Sequence, residues 1–175
     1  MEQGRGCGYF ADMPSGRVIP TIRAAVHDDA TAILQVRREA VLERAASHYD
    51  RTILHDWANA VDAGRMASKI CDPDYRALVA EAGGEIIGYA MAVLSKCELQ
   101  ALYVMTNPIG NVGRSLLGAI EDLAFETVPY LDCEASLNAE GFYKANGYTS
   151  EGVKDFVTSS GLLSRVVQMR KHRPG

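Results

Sequence analysis

The residues best suited to chemistry form a glycine-rich turn between an apolar strand and an amphipathic helix. The predicted binding segment comprises Gly110, Asn111, Val112, Gly113, Arg114 and Ser115. Glycine tolerates positive φ and lets a ligand approach bare backbone. The first N–H groups of the following helix have no intrahelical partner and lie at the positive end of its dipole. The turn is therefore predicted to bind a phosphate or pyrophosphate, although a tight connection without a ligand would have the same composition.

Two common nucleotide-binding motifs are excluded at this turn. Gly113 is followed by Arg114 and Ser115, so the Lys-Ser or Lys-Thr pair that ends a P-loop is missing. No G-x-G-x-x-G follows the first strand of a βαβ unit. Neither an ATPase nor a nicotinamide-dependent enzyme is therefore favoured.

A second group of polar and aromatic residues lies between two apolar helical stretches, in SHYDRTILHDW at 47–57. Tyr49, Asp50, Asp56 and Trp57 are predicted to line a pocket for a small ligand that bears an amine. A carboxylate there would attract an ammonium group, so diamines are the first ligands to expect. Other readings stay open: Trp57 as a core residue, and the two aspartates as helix N-caps or solvated charges.

The apolar periodicity predicts one α/β domain over residues 21–175, with an irregular leader at 1–20 that is rich in Gly and Pro. Its sheet is expected to be mixed and mostly antiparallel, with six or seven strands. Strands are predicted at 21–26, 75–82, 85–94, 98–104, 130–135, 154–159 and 162–170. Helices are predicted from Ala30 towards Ser47, over 52–70, beginning at Arg114, and from Ser136 or Asn138 to Gly147. Lys171-His172-Arg173 is predicted to be a solvated tail.

Composition narrows the functional class further. The chain of 175 residues has 47% hydrophobic residues and a net charge of −4, which argues against nucleic-acid binding. No apolar run approaches the ~20 residues of a membrane span, so no membrane partner is expected. The four cysteines show no C-x-x-C spacing, which suggests reduced thiols in the cytoplasm, and the four histidines form no metal-ligand pattern. A homodimer is left open.

Two segments resemble the GNAT N-acetyltransferase superfamily. Leu102-Tyr103-Val104, the turn ending Gly-Asn-Val-Gly and the helix beginning Arg-Ser-Leu-Leu are similar to its acetyl-CoA-binding segment, whose pattern is [RQ]-x-x-G-x-[GA]. Only Gly113 matches this pattern cleanly, because Pro108 and Asn111 replace residues usual in the family. Asn is the non-glycine residue best able to adopt a left-handed conformation, so Asn111 is expected to preserve the shape of the loop.

The second segment, ASLNAEGFYKANGY at 135–148, resembles the family pattern N-x-x-A-x-x-[FL]-Y-x-x-x-G-[FY]. Matching positions are Ala139, Phe142, Tyr143, Gly147 and Tyr148, while Ser136 replaces the usual Asn. The resemblance implies the GNAT fold, in which the strand at 98–104 diverges from its neighbour and the pantetheine arm lies in the opening. It also implies a cofactor site formed by the turn segment together with Leu102, Tyr103, Val104, Ser136, Asn138, Phe142 and Tyr143.

The resemblance also implies catalytic roles. The backbone N–H of Val104 would bind the oxyanion, Tyr143 would protonate the departing thiolate, and Glu98 would act as base, directly or through water. Alternatives remain for two of them: Tyr143 as a packed helix residue and Glu98 as a solvated charge at the strand edge. A water chain without a dedicated base is a further possibility.

The expected function is transfer of acetyl from acetyl-CoA directly to a primary amine of a small molecule or peptide. An acetyl-cysteine intermediate is not expected, because no cysteine has a neighbouring histidine that would generate a thiolate. The alternatives are a catalytically silent CoA-binding module and an acyltransferase that uses another acyl-CoA.

Overall fold

The structure, a computed structural model, describes residues 19–106 and 110–175. The predicted leader therefore lies outside the described residues except for Ile19 and Pro20, and so do Asn107 and Pro108 of the turn. The strands are β1 (Thr21–Ala24), β2 (Tyr75–Ala82), β3 (Glu85–Val93), β4 (Glu98–Val104), β5 (Tyr130–Ala135), β6 (Thr149–Val157) and β7 (Leu163–His172). The helices are α1 (Ala30–Arg44), α2 (Arg51–Ala58), α3 (Ala63–Cys71), α4 (Val112–Phe125) and α5 (Glu140–Ala145), with a 3-10 turn at His27–Asp29 before α1.

The strands form one sheet of seven strands in the order β1-β2-β3-β4-β5-β7-β6. Every neighbouring pair is antiparallel except β4 and β5, which are parallel. The prediction of a mixed, mostly antiparallel sheet is confirmed. The hairpin between β2 and β3 contains Gly83 and Gly84 with φ of 61° and 83°, and positive φ at both central residues is what such a tight turn requires.

Helices cover both faces of the sheet, giving three layers. On one face α4 packs Leu116, Leu117 and Ile120 against the strands, and all three are at most 1% exposed. On the other face α1 and α3 pack against β2 and β3, with Ile33 and Met66 buried. Among the helices described, none has the length and apolar character that a bilayer crossing requires.

The pairing between β4 and β5 is confined to one end of the strands. Only Glu98 and Asp132 are in register, and the Asp132 N–H donates to the carbonyl of Cys97 at 2.8 Å. Beyond this point β5 pairs on its other side with β7, over Tyr130 to Ala135. The two strands therefore diverge towards their carboxyl ends and leave a cleft in the middle of the sheet, as the resemblance implied.

Several predicted boundaries are wrong for local reasons. The helix predicted over 52–70 is divided into α2 and α3, because Asn59 ends α2 by donating to the His55 carbonyl and Asp62 caps α3 by accepting from the Arg65 N–H at 2.9 Å. β1 stops at Ala24 rather than Val26, since the Val26 N–H donates to the Asp29 carboxylate at 2.8 Å. Helix α4 begins at Val112 rather than Arg114.

The final hairpin is longer than predicted, with β6 beginning at Thr149 and β7 ending at His172. The tail predicted from Lys171 is therefore wrong. Lys171 lies in β7, and its Nζ forms an ion pair with Glu121 Oε2 of α4 at 2.6 Å. The Lys171 and Glu121 side chains are only 19% and 9% exposed, so the pair belongs to the interior. Because Glu121 is distant from Lys171 in sequence, no local pattern predicted this ion pair.

Candidate active site

The backbone of β4 is left unpaired along the cleft. Directly opposed residues of an antiparallel pair alternate between hydrogen-bonded and non-hydrogen-bonded pairs. The Met105 N–H donates to the Ile87 carbonyl at 2.9 Å, so the next pair, Val104 opposite Gly88, is non-hydrogen-bonded. The backbone groups of Val104, and of Leu102 two residues earlier, therefore point towards β5, which has already diverged. They form a row of free donors and acceptors for an extended ligand.

A cavity of about 210 Å³ lies where β4, α4 and α5 meet, and we call it the α5 end of the cleft. It brings together many of the residues predicted to bind the cofactor. Its walls include Leu102, Tyr103, Val104, Gly113, Ser136, Asn138, Phe142 and Tyr143, with Ala40 and Arg44 added from α1. Parts of the chain far apart in sequence, residues 102–104 with Gly113 and residues 136–143, thus converge on one apolar slot beside the free edge of β4.

Tyr143 is both packed and part of the cleft wall. Its ring makes edge-on contacts with Phe142 and Tyr148 at centroid distances of 5.3 and 5.2 Å, and the residue is 7% exposed. Burial raises the pKa of its phenol well above the ordinary value. Because the hydroxyl stays protonated at neutral pH, the geometry suits a proton donor, and the packing is compatible with that role.

The start of α4 presents free backbone N–H groups at the same end. The Ser115 N–H donates to the Asn111 carbonyl at 3.0 Å as the first helical bond, so the N–H groups of residues 112–114 have no intrahelical partner. Gly110 has φ of 71°, whereas Asn111 has φ of −92° and does not adopt the left-handed conformation we expected. Arg114 and Ser115 are exposed beside this helix start.

Helix α5 begins at Glu140 rather than at Ser136 or Asn138, contrary to prediction. The N-cap position is Ala139, and no side chain caps the helix. Instead, the Ser136 carbonyl accepts from the Ala139 N–H at 2.8 Å in a turn that precedes the helix. This turn places both polar side chains on the wall of the α5 end.

A second cavity of about 210 Å³, which we call the α3 end, lies beside the start of β4. Glu98 and Trp57 line it together with charged residues of α1 and α3, namely Arg37 and Lys69. Burial raises the pKa of the Glu98 carboxyl, and the positive charge of Lys96 opposes this rise. A carboxylate with a raised pKa is a better proton acceptor at neutral pH.

The two ends are connected. A passage of about 60 Å³ runs between β4 and β5, and its walls include Trp57, Gln100 and Glu134 of the α3 end as well as Ser136 and Tyr143 of the α5 end. Tyr103 lines all three spaces. A single cleft therefore leads from Glu98 to Tyr143 along the free edge of β4.

The four residues predicted to form an acceptor pocket do not line one cavity. Only Trp57 reaches the α3 end. Tyr49 and Asp50 line a separate, open surface cavity of about 600 Å³. The Asp56 carboxylate accepts hydrogen bonds from the Ser160 N–H at 3.1 Å and the Ser160 hydroxyl at 2.7 Å, so it holds the turn between β6 and β7.

Tyr49 holds in place two segments that border the cleft. Its hydroxyl donates to the Arg165 carbonyl at 2.9 Å and accepts from the Leu137 N–H at 2.9 Å. Leu137 follows β5 and Arg165 lies in β7, so this hydroxyl joins the segment between α1 and α2 to both. It fixes the position of the chain where β5 leads into α5.

Sequence reasoning missed three cations of the cleft, Arg37, Arg44 and Lys69. Arg37 interrupts the apolar face of α1, between Ile33 and Val41, and lies 9% exposed among buried neighbours. A charge on an apolar helix face is a signal that could have identified it. Arg44 is exposed and Lys69 is half-buried, and a cation is ordinary at either position.

Comparison with known proteins agrees with this geometry. The family profile described as "Acetyltransferase (GNAT) domain" matches residues 39–172. A GCN5-related N-acetyltransferase from Rhodopseudomonas palustris has a similar structure, with a TM-score of 0.80 and 23% identity over 93% of this chain and 100% of that chain. The PaiA N-acetyltransferase from Thermoplasma acidophilum, in complex with coenzyme A, gives a TM-score of 0.74 and 20% identity over 89% and 99% of the two chains.

A putative acetyltransferase from Salmonella typhimurium, with its cofactor acetyl-CoA, gives a TM-score of 0.65 and 23% identity over 88% of this chain and 94% of that chain. At these identities the structures show the fold alone. No curated protein matches the chain. The family profile spans most of the sequence, including β4, α4 and α5. The chain therefore belongs to the GNAT acetyltransferase family.

Proposed function

We propose that the protein transfers the acetyl group of acetyl-CoA directly to a primary amine of a small molecule or peptide. The observation that carries this proposal is the continuous cleft along the free edge of β4, with Tyr143 at one end and Glu98 at the other. The free N–H groups at the start of α4 would receive the pyrophosphate. The backbone of Leu102 and Val104 would pair with the pantetheine arm, as an added strand pairs with a sheet edge.

Each proposed chemical step uses a group in this cleft. The neutral amine attacks the thioester carbon, and the Val104 N–H stabilises the oxyanion that forms. The attack completes the N–C bond, and collapse of the tetrahedral intermediate re-forms the carbonyl and breaks the C–S bond. The proton lost from nitrogen passes to Glu98 through a chain of waters, because Glu98 and Val104 lie at opposite ends of β4. Tyr143 supplies the proton that converts the thiolate to free CoA and regains a proton from water.

The supporting observations are independent of one another. The buried Tyr143 phenol is protonated at neutral pH, whereas Glu98 is only half-buried and lines the α3 end. Two structures of the same fold carry CoA or acetyl-CoA. Free thiols at Cys71, Cys97 and Cys133 suit the reducing cytoplasm that we propose as its location.

Titration calorimetry with acetyl-CoA, followed by a thiol-release assay with a panel of amines, tests the proposal. We expect saturable binding in the micromolar range and release of free CoA that depends on the amine. Binding without release for every amine would favour the silent CoA-binding module instead. Faster release with propionyl-CoA than with acetyl-CoA would identify another acyl donor, and no binding at millimolar ligand would contradict all of these functions.

A further inference from the structure

The α3 end contains a buried guanidinium whose hydrogen-bonding capacity is only partly used. Arg37 is 9% exposed, its Nη2 donates to the Trp57 carbonyl at 3.0 Å, and its guanidinium lies 5.2 Å from the centre of the Tyr103 ring. Its Nε and the Tyr89 hydroxyl lie side by side without forming a well-aligned hydrogen bond, and neither has another partner among the described residues. Both residues line the cavity. An unused donor of this kind is costly to bury without a ligand.

Lys69 provides a second cation on the same wall. It is half-buried, and its Nζ donates to the Gln100 side chain at 2.7 Å. Burial lowers its pKa, and the positive charge of Arg37 lowers it further. In the described part of the chain, neither Arg37 nor Lys69 forms an ion pair with a carboxylate.

The carboxylates of this cavity do not balance the two cations. Glu134 is already paired with Lys154 at 2.7 Å. Glu98 remains as the single unpaired carboxylate among the described residues of the cavity wall, so Arg37 and Lys69 leave an excess of one positive charge. An anionic group on the ligand would complete the site, because a buried cation gains most from a fully desolvated partner.

We propose that the acceptor is a small amino acid whose carboxylate binds Arg37 and Lys69 while its amine points along β4 towards the thioester beside Val104. This inference rests on the acetyltransferase function proposed above and names the class of its acceptor. Apolar residues on the same wall, among them Trp57, Met66 and Phe156, would receive an uncharged side chain. A diamine, the acceptor first expected from the sequence, would instead place its second ammonium group against two cations.

Matched acceptors test the proposal. Leucine, methionine and phenylalanine are compared at pH 8 with their primary amides and with the corresponding amines that lack the carboxyl group, using release of free CoA. The amide amine, with a pKa near that of a peptide α-amino group at about 7.7–8.0, is the more deprotonated nucleophile. A preference for the free amino acid must therefore come from the pocket. We expect kcat/KM to be about 10- to 100-fold higher for the amino acid, the scale of a charge-assisted hydrogen bond.

Two variants assign this preference to the cations, each with a matched control. Lys69→Gln should raise KM for the amino acid about tenfold and change the amide by less than about twofold, whereas Arg65→Gln on the exposed side of α3 should change neither. Arg37→Lys, compared with Arg38→Lys at the next position of α1, tests the guanidinium. If Arg37→Lys fails to fold, the half-buried Lys69 still provides the test.

The outcomes separate this inference from the proposed function. Equal or faster acetylation of the amides, diamines or an aminoalkyl phosphate, or an unchanged preference in Lys69→Gln, would overturn the amino-acid assignment while leaving acetyl transfer intact. Binding of acetyl-CoA without CoA release for any acceptor would contradict the function itself, and this inference with it. A carboxylate preference that falls about tenfold in Lys69→Gln but persists in Arg65→Gln is the result that supports the inference.

Discussion

The two ends of the cleft are built in different ways. The α5 end uses backbone groups of β4 and α4 together with apolar rings that already pack against one another. The α3 end uses charged side chains from α1, α3 and β4, which are distant in sequence and only partly satisfied. A ligand held by backbone leaves a local sequence pattern, whereas a ligand held by converging side chains leaves none. The residues of the first end could therefore be found by reading motifs, whereas at the second end Glu98 and Trp57 were predicted and the two cations required the structure.

The largest expected effect concerns the support of the α5 end. Lys171 of β7 forms its ion pair with Glu121 of α4, and its Nζ lies 5.6 Å from the centre of the Tyr148 ring. That ring in turn contacts Tyr143 of α5. Lys171→Met should lower the free energy of unfolding by about 3 kcal/mol, because it leaves a carboxylate buried without its cation. Urea denaturation measures this change.

The matched control replaces both partners. Lys171→Met combined with Glu121→Leu should recover most of the lost stability, since a buried ion pair can often be exchanged for apolar residues at little cost. A single variant that unfolds at the same urea concentration as the unmodified protein would show that the α5 end does not depend on this pair.

The next effect tests whether Tyr143 has a chemical role beyond packing. Tyr143→Phe should lower kcat about 100-fold and leave the dissociation constant of acetyl-CoA nearly unchanged, because only the proton donor is removed. Tyr148→Phe is the control. Its phenol is also buried, but it is absent from the cleft wall, so kcat should change by less than about threefold. Equal effects of the two substitutions would assign Tyr143 to packing.

Much of the fold was predictable because its signals are local. The Gly83-Gly84 hairpin and the strand at 130–135 appear as predicted, and Gly147 follows α5 with φ of 89°. The errors arise where a contact with a distant part of the chain determines the local structure. Lys171 and His172 are part of β7 because they pair with Leu131 and Tyr130 of β5, and Asp56 holds a turn more than 100 residues away in sequence, at Ser160. Arg37 interrupts the apolar face of α1, but its neighbours at the α3 end come from other elements, so nothing local showed what the charge faces.

A smaller effect is expected at the α3 end from Glu98. Glu98→Gln should lower kcat/KM about tenfold, since water can replace part of the function of a base. The active, ionised form is lost as pH falls through a pKa that burial holds above the ordinary value of 4.5, so the acidic limb of the pH profile should lie above that value and disappear in the variant.

Glu134→Gln sharpens this test. The negative charge of Glu134 contributes to the raised pKa of Glu98, so its removal should keep the acidic limb and move it to lower pH. If the acidic limb of the pH profile is instead unchanged in Glu98→Gln, proton removal belongs to water or to another group.

The smallest effect is expected at Asp56, which we first predicted to attract the acceptor. Its carboxylate is engaged with the turn at Ser160, so Asp56→Asn should change kcat/KM by less than about threefold and leave the order of preferred amines unaltered. The same thiol-release panel checks this. A selective loss of cationic acceptors in Asp56→Asn would restore the original prediction and weaken the contrast between the two ends.

The structure of the protein bound to acetyl-CoA tests the central claim most directly. The account predicts that the pantetheine arm lies between β4 and β5 and that the thioester oxygen approaches the Val104 nitrogen, at about 2.7–3.1 Å once it carries the developing charge. The Tyr143 hydroxyl should lie on the sulfur side and Glu98 on the opposite side, facing the acceptor. A cofactor bound outside the cleft, or a Val104 N–H already paired with β5 in the complex, would contradict the account.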